Sequence, residues 1–512
     1  MIAVLRHLGA ISLLALLGAG FAWWAVSDQL ASVGGDNAVY VLTARHFNPL
    51  RAADPVAAAF ARQSQYPPLY PLSLMPWADS LQGAHAATVA ALVAALTALY
   101  AFALSVGLSM AWGAALVFLF AVVPISLREA LEIHSEPLFI SLSLAALIFL
   151  QRGVDQRRES CWIIGVGLAI AAMLTRTVGV TLFLPAALAA FQLRPSRRAW
   201  ALGAALMVPL LAWHVLHHPA TSYSTAWLEA TSGNSAALLW RRMSESSGAL
   251  HSGWQHGLAL FPVLAPAADL LLLFSVSGAA WRLVRLRLDA VYLVAYLGVV
   301  AGWGYPAEAE RFVWAVMPVA LVIAFAASQE VGKRFISSIP WGPKAAAAAV
   351  LGLCAVVSLA GNMQRARFAA PLGMPKARFL PDWYQTEPAD AVEYASTYFG
   401  LMAALEKVQQ KVPSGDCIYS IKPAVVALAT GRPGLAPPPR DVTPEAFDLG
   451  LSADRCRYML ALAYMSPSYP ESLYPLGRLD AKKADVVFRA EAQMPDGASG
   501  EVGVLLRLNP VP

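Results

Sequence analysis

Charge is scarce in this chain. Asp, Glu, Lys and Arg supply 13% of its 512 residues, against about 25% in ordinary soluble domains. Hydrophobic residues reach 58% and mean hydropathy is +0.55. A water-soluble core of this size has nowhere to hide that much apolar surface, which excludes a soluble globule and makes lipid the solvent. The net charge of +5 is small for the length, so no nucleic-acid partner is expected. Cysteine is also rare, with four residues and no C-x-x-C pair, which removes metal-ribbon and redox-motif classes. Cys161 and Cys354 fall in apolar runs and read as small core residues. Cys417 and Cys456 lie in the polar C-terminal part, where an extracytoplasmic location would make them disulfide candidates. Histidines 214, 217, 218, 251 and 256 match no ligand spacing, so interface or core positions are expected for them. There is no internal repeat and no long low-complexity segment.

Long apolar runs are what the chain has in abundance. The first, Leu8 to Val26, follows Arg6 and His7; at about 1.5 Å per residue it is long enough to cross a bilayer, so an uncleaved first span is expected rather than a signal peptide. Further spans are expected at about 85–107, 110–126, 135–151, 161–175, 177–192, 199–216, 257–281, 289–304, 312–329 and 345–361, eleven in all. With the N-terminus cytoplasmic, Arg6 and the inside loops carry thirteen Lys and Arg, including Arg152, Arg194, Arg282 and Lys333, against Arg128, Arg176 and Arg311 outside. That asymmetry orients the chain. The expectation is a multi-pass protein of the bacterial cytoplasmic (inner) membrane, all-α in residues 1–361. Residues 362–512 then lie outside as a small α/β domain: Glu393–Lys411 has helical spacing, Cys417–Ser420 reads as a strand, Val425–Ala429 as a short helix stopped at Gly431, and Tyr458–Ala463 as a second strand.

Two outside loops, 27–84 and 217–256, are too long for simple connectors, and such loops usually carry function or disorder. In the first, Ala38, Val39, Leu42 and Phe47 mark an amphipathic helix suited to the membrane interface. Tyr66-Pro67-Pro68-Leu69-Tyr70-Pro71 reads as a rigid aromatic turn. Asp36, in Gly34-Gly35-Asp36-Asn37, is a candidate proton acceptor, and equally an N-cap of the following helix. Glu129, Glu132 and Glu136 are spaced by three and four, which on a continuous helix puts them on one face; the bland reading is a solvated helix entrance. Arg128, Arg176 and Arg311 border the same side. Snorkelling to headgroups explains any one of them, but three together suit a phosphate. For Arg311, pairing with its neighbour Glu310 competes with that role.

The order of these features resembles the GT-C superfamily of integral-membrane glycosyltransferases, in the branch of the protein O-mannosyltransferases and the lipid A aminoarabinose transferase. The resemblance is carried by Gly34-Gly35-Asp36, the tyrosine–proline turn, Ser135-Glu136-Pro137-Leu138-Phe139, Leu174-Thr175-Arg176-Thr177-Val178-Gly179, Glu310-Arg311-Phe312 with Met317-Pro318, and the tail segments Ile418-Tyr419-Ser420 and Ala429-Thr430-Gly431-Arg432. It implies a polyprenyl-phosphate sugar donor, inversion at the sugar, and a site at the outer membrane surface with Asp36 as general base. Glu132 and Glu136 are further catalytic candidates, and Tyr66, Pro67, Pro68 and Tyr70 line the expected acceptor cavity. The acceptor hydroxyl belongs to a glycan, a lipid or a protein, and membrane lipids surround the chain. Where many members have a second acid, Asn37 follows Asp36. A lone carboxylate holds a divalent ion (Mg or Mn) poorly, so such a cation needs Glu132 or Glu136 as a further ligand. A transporter, which requires broken polar helices at the bilayer midplane, fits the uncharged span centres badly; a flippase or polymerase of lipid-linked glycans handles the same lipids and stays open, and so does a membrane scaffold.

Overall fold

Apolar sequence without charge forms helices in oil because each backbone group must find its partner within the segment. The computed structural model describes residues 2–30, 34–217, 235–258, 265–302, 309–335, 388–439, 442–454, 456–464, 472–479, 484–493 and 499–509, with isolated positions between them. Two units emerge, one of residues 1–27, 65–73 and 82–364, the other of residues 28–64, 74–81 and 365–512.

In the first unit, six described helices are long and apolar enough to cross a membrane: His7–Ala25, Leu81–Ser105, Glu136–Asp155, Arg197–Leu216, Ala265–Val284 and Ala309–Glu330. A seventh candidate is the pair Met110–Val122 and Pro124–Leu131, bent by 62°. Pro124 causes the bend, since it drives Val123 into an extended conformation (φ −64°, ψ 146°). Shorter apolar helices at Glu159–Thr175, Thr177–Leu193 and Leu288–Ala301 occupy three more of the expected positions. The expected span 345–361 lies outside the described residues, apart from isolated positions. The expected span 257–281 is corrected: helix Ser235–Leu258 occupies much of the second long loop, and the apolar helix begins at Ala265.

Small residues set the packing. A Cβ on Gly165 would stand 2.7 Å from Leu150 Cγ, so helices Glu136–Asp155 and Glu159–Thr175 meet face to face. Among the candidate spans of the described residues, Ala309–Glu330 is the most enclosed and His7–Ala25 the least. Trp314 stacks on Phe120 with ring centres 5.7 Å apart and donates to Ser126 Oγ at 2.7 Å.

The second unit is the α/β domain, and it incorporates residues 28–64 and 74–81 of the first outer loop. Helix Gly35–Phe47 does not spend its apolar face on lipid as expected: Ala38 and Leu42 are buried with Leu401, Leu405, Val408, Ile418 and Leu460 in one core. Strands β1 (Ile418–Tyr419), β2 (Gly434–Leu435), β3 (Tyr458–Leu462), β4 (Ala484–Gln493) and β5 (Ser499–Leu508) form one sheet in the order β2-β1-β3-β5-β4. β1 is parallel to β2 and β3, while β5 is antiparallel to β3 and β4. Helix Pro423–Thr430 ends at Gly431, which adopts φ +69°. Cys417 and Cys456, flanking β1 and β3, form a disulfide.

Candidate active site

Within the first unit, carboxylates and guanidiniums gather where Pro124–Leu131 ends and Glu136–Asp155 begins. The expectation that Glu129, Glu132 and Glu136 share a helical face is overturned. Glu132 is extended (φ −90°, ψ 149°), and a new helix starts at Glu136, where Pro137 fits because a helix's first amides need no intrahelical acceptor. A loop, not a helix face, brings the acids together. Nor is this a solvated entrance: Glu129 and Glu136 are fully buried.

Each buried acid has a defined counter-group. Glu136 is clasped by both Arg176 and Arg311, and Arg176 also reaches Ser135 Oγ at 3.3 Å. Arg311 therefore turns to Glu136 across the unit, while its chain neighbour Glu310 pairs with Arg128 at 3.4 Å and with His256 at 3.3 Å. His134, which sequence spacing did not single out, is the hub of the remaining acids. Its Nδ1 lies 3.0 Å from Glu129 Oε2 and its Nε2 3.9 Å from Glu132 Oε2. Burial and the nearby Arg311 favour the neutral ring, but Glu132 and Glu129 outweigh them and raise its pKa. The one available signal for His134 was its place between three acids in sequence.

The donor atoms of Glu129, His134 and Glu136 all lie within 4.8 Å of one another, so the buried triad can hold a metal ion. Its fit has independent support: Glu129 Oε1 and Glu136 Oε2 are buried without a hydrogen-bond partner, which is costly unless a ligand completes them. Charge balance points the same way. Among the described residues, four carboxylates, Glu129, Glu132, Glu136 and Glu310, stand against three guanidiniums, which leaves room for positive charge on His134, on His256 beside Glu310, or on a bound cation.

Tyr70 is buried and its hydroxyl lies 2.7 Å from Thr88 Oγ1, which anchors the tyrosine–proline turn. Tyr66, Pro67 and Pro68 are irregular chain leading into helix Leu69–Leu74. Asp36 belongs to the second unit. It does not cap its helix as expected: Gly34 holds the N-cap position without a side-chain bond, and Asp36 sits half-buried in the first turn. Asn37 beside it is fully buried and donates to Ser32 Oγ at 3.2 Å.

No protein-family model matches the sequence, and neither does any curated protein. Among solved structures, the chain is similar to ArnT from Cupriavidus metallidurans bound to undecaprenyl phosphate, with TM-score 0.51 and 14% identity over 98% of this chain and 99% of that one. The apo state of that protein gives 0.52 at the same identity and coverage. The Archaeoglobus fulgidus oligosaccharyltransferase gives 0.48 at 12% identity, over 96% of this chain and 74% of that one. The shared architecture is the GT-C fold.

Proposed function

We propose that this GT-C-fold chain is a membrane glycosyltransferase that moves a sugar from a polyprenyl-phosphate donor to an acceptor hydroxyl at the outer face of the bacterial cytoplasmic membrane, with inversion. The observation that carries the reading is Glu136, fully buried and held by Arg176 and Arg311. Ionisable groups at a membrane boundary are costly and mark substrate paths. The solved structure of ArnT with undecaprenyl phosphate makes a lipid phosphate the natural anion for such a site. The excess of Lys and Arg in alternate loops supports an outward orientation.

In this reading Asp36 takes the acceptor's proton as its oxygen attacks the anomeric carbon, opposite the departing phosphate. The lipid phosphate is a stable anion at neutral pH, so it leaves without a general acid. Glu136 holds Arg176 and Arg311 rigid, so both guanidiniums meet the developing charge without reorganising. Arg128, fixed by Glu310, is the third. Glu132 acts through His134, helping to hold the imidazole against Glu129. Tyr66, Pro67 and Pro68 shape the acceptor side, and Tyr70 fixes their turn. Glu129, His134 and Glu136 would hold a divalent cation, Mg or Mn, which would supply the positive charge the cluster lacks for a phosphate; an imidazole ligand favours Mn over Mg. The acceptor is a glycan, lipid or protein hydroxyl.

The test is transfer by purified protein in lipid from a polyprenyl-phosphate sugar to a hydroxyl acceptor, with inversion read by NMR. Asp36→Asn should lower turnover by about 10²–10⁴. Turnover of this variant near wild type would remove Asp36 from the mechanism; retention of anomeric configuration would reject the direct displacement.

A further inference from the structure

The second unit contains an open cavity of about 390 Å³, within the range of small-molecule sites, roughly 300–1,000 Å³. Leu81, Tyr398, Phe399, Met402 and Leu428 make its apolar wall, and Arg45 is its cation. Tyr398 is fixed by donating to the carbonyl of Leu30, so this wall is pre-formed. Arg45 Nε donates to Ala78 O at 3.0 Å. Among the described residues its terminal nitrogens carry no hydrogen bond. Burial and then the like charge of Arg51 hold the Arg45 pKa below the usual arginine value, with Asp54 offsetting only part; the cation is thus short of an anion. Asp28 also borders the cavity, but it is exposed and water screens it.

Two residues of the cavity's lining stand beside candidate spans in the sequence. Asp28 follows the last residue of helix Ile2–Ala25 by three positions, and Leu81 is the first residue of the span Leu81–Ser105. A guanidinium short of an anion, beside an aromatic and aliphatic wall and close in sequence to two spans, has the chemistry of a lipid headgroup site.

We propose that this cavity binds one anionic membrane lipid, its headgroup oxyanion on Arg45 and the start of its acyl chain along Tyr398, Phe399 and Met402. It uses none of the residues of the Glu136 cluster and does not require that the chain transfer sugar.

Full-length protein in nanodiscs of phosphatidylethanolamine, alone or with phosphatidylglycerol, tests this by native mass spectrometry of retained lipid. Wild type should retain one phosphatidylglycerol in preference to phosphatidylethanolamine. Arg45→Gln should weaken retention by about tenfold, the loss of one charge-assisted contact, and Arg45→Lys should restore much of it. Met402→Trp, which fills the wall and leaves Arg45 in place, should abolish it; this arm stands even where Arg45→Gln does not fold. Equal retention by wild type, Arg45→Gln and Met402→Trp would overturn the site. Displacement of the lipid by millimolar inorganic phosphate would also overturn it, in favour of a free-anion pocket. Because lipid retention is read without turnover, failure here leaves the transferase reading intact, and failure of transfer leaves this site intact.

Discussion

Glu136 balances two guanidiniums that are themselves largely buried. Glu136→Gln leaves both without a charge partner, and breaking such a pair costs about 3–5 kcal/mol. The variant should melt well below wild type in detergent, and unchanged melting would mean that water or lipid already compensates the arginines. His134 gives a pH signature. Its folded pKa is raised, so its stabilisation is fully present below about pH 6.5, the unfolded value, and fades as pH rises through the folded one. Melting temperature measured against pH should show this decline in wild type, and His134→Gln should flatten it. A divalent cation competes with that proton, so Mn²⁺ should stabilise the protein more at higher pH, and Glu129→Gln should remove the effect. Asp36, the Glu129/Glu132/Glu136 acids and the three arginines were legible as candidates because charge is so rare beside the spans. His134 was not, since its place between the three acids was its one signal and matched no ligand spacing.

Elements hold these residues in place through close backbone contacts. A Cβ on Gly179 would meet Met173 N at 2.5 Å and Cα at 2.6 Å, and backbone cannot yield as a flexible side chain can. Gly179→Ala should shift the 3₁₀ turn Thr177–Leu182 and carry Arg176 with it. Transfer should fall more than tenfold while expression persists; full activity would show that the turn does not position Arg176. Gly253 plays a similar part, since its Cβ would stand 3.0 Å from Glu310 Cα, and this close approach sets His256 against Glu310. Helix positions were legible from apolar runs, but breaks were not. Periodicity alone continued a helix through Glu129, Glu132 and Glu136, whereas Pro124 and Pro137 mark a bend and a restart. The β4–β5 hairpin escaped because its register shifts at Val486/Phe488 and Ala490/Glu491 interrupt the alternation by which strands are recognised.

At the scale of the molecule, the disulfide Cys417–Cys456 closes 39 residues of sequence separation. Removing such a link costs about 2–5 kcal/mol. Cys417→Ser/Cys456→Ser should therefore lower the melting of the α/β unit, read by protease susceptibility of residues 388–508, while the membrane helices stay intact; equal resistance would show the bond to be dispensable. Sequence by itself determined the solvent: scarce charge and long apolar runs allow only helices in lipid, because each span satisfies its own backbone. It also determined where polar groups are affordable, at the span ends. Only the tertiary structure decided which acid meets which cation. Arg311 reaches Glu136, 175 positions away, and residues 28–64 of the first outer loop join the C-terminal core. Low polarity makes pairing compulsory, yet the choice of partner follows from which helices pack together, and that is a property of the whole chain rather than of any local spacing.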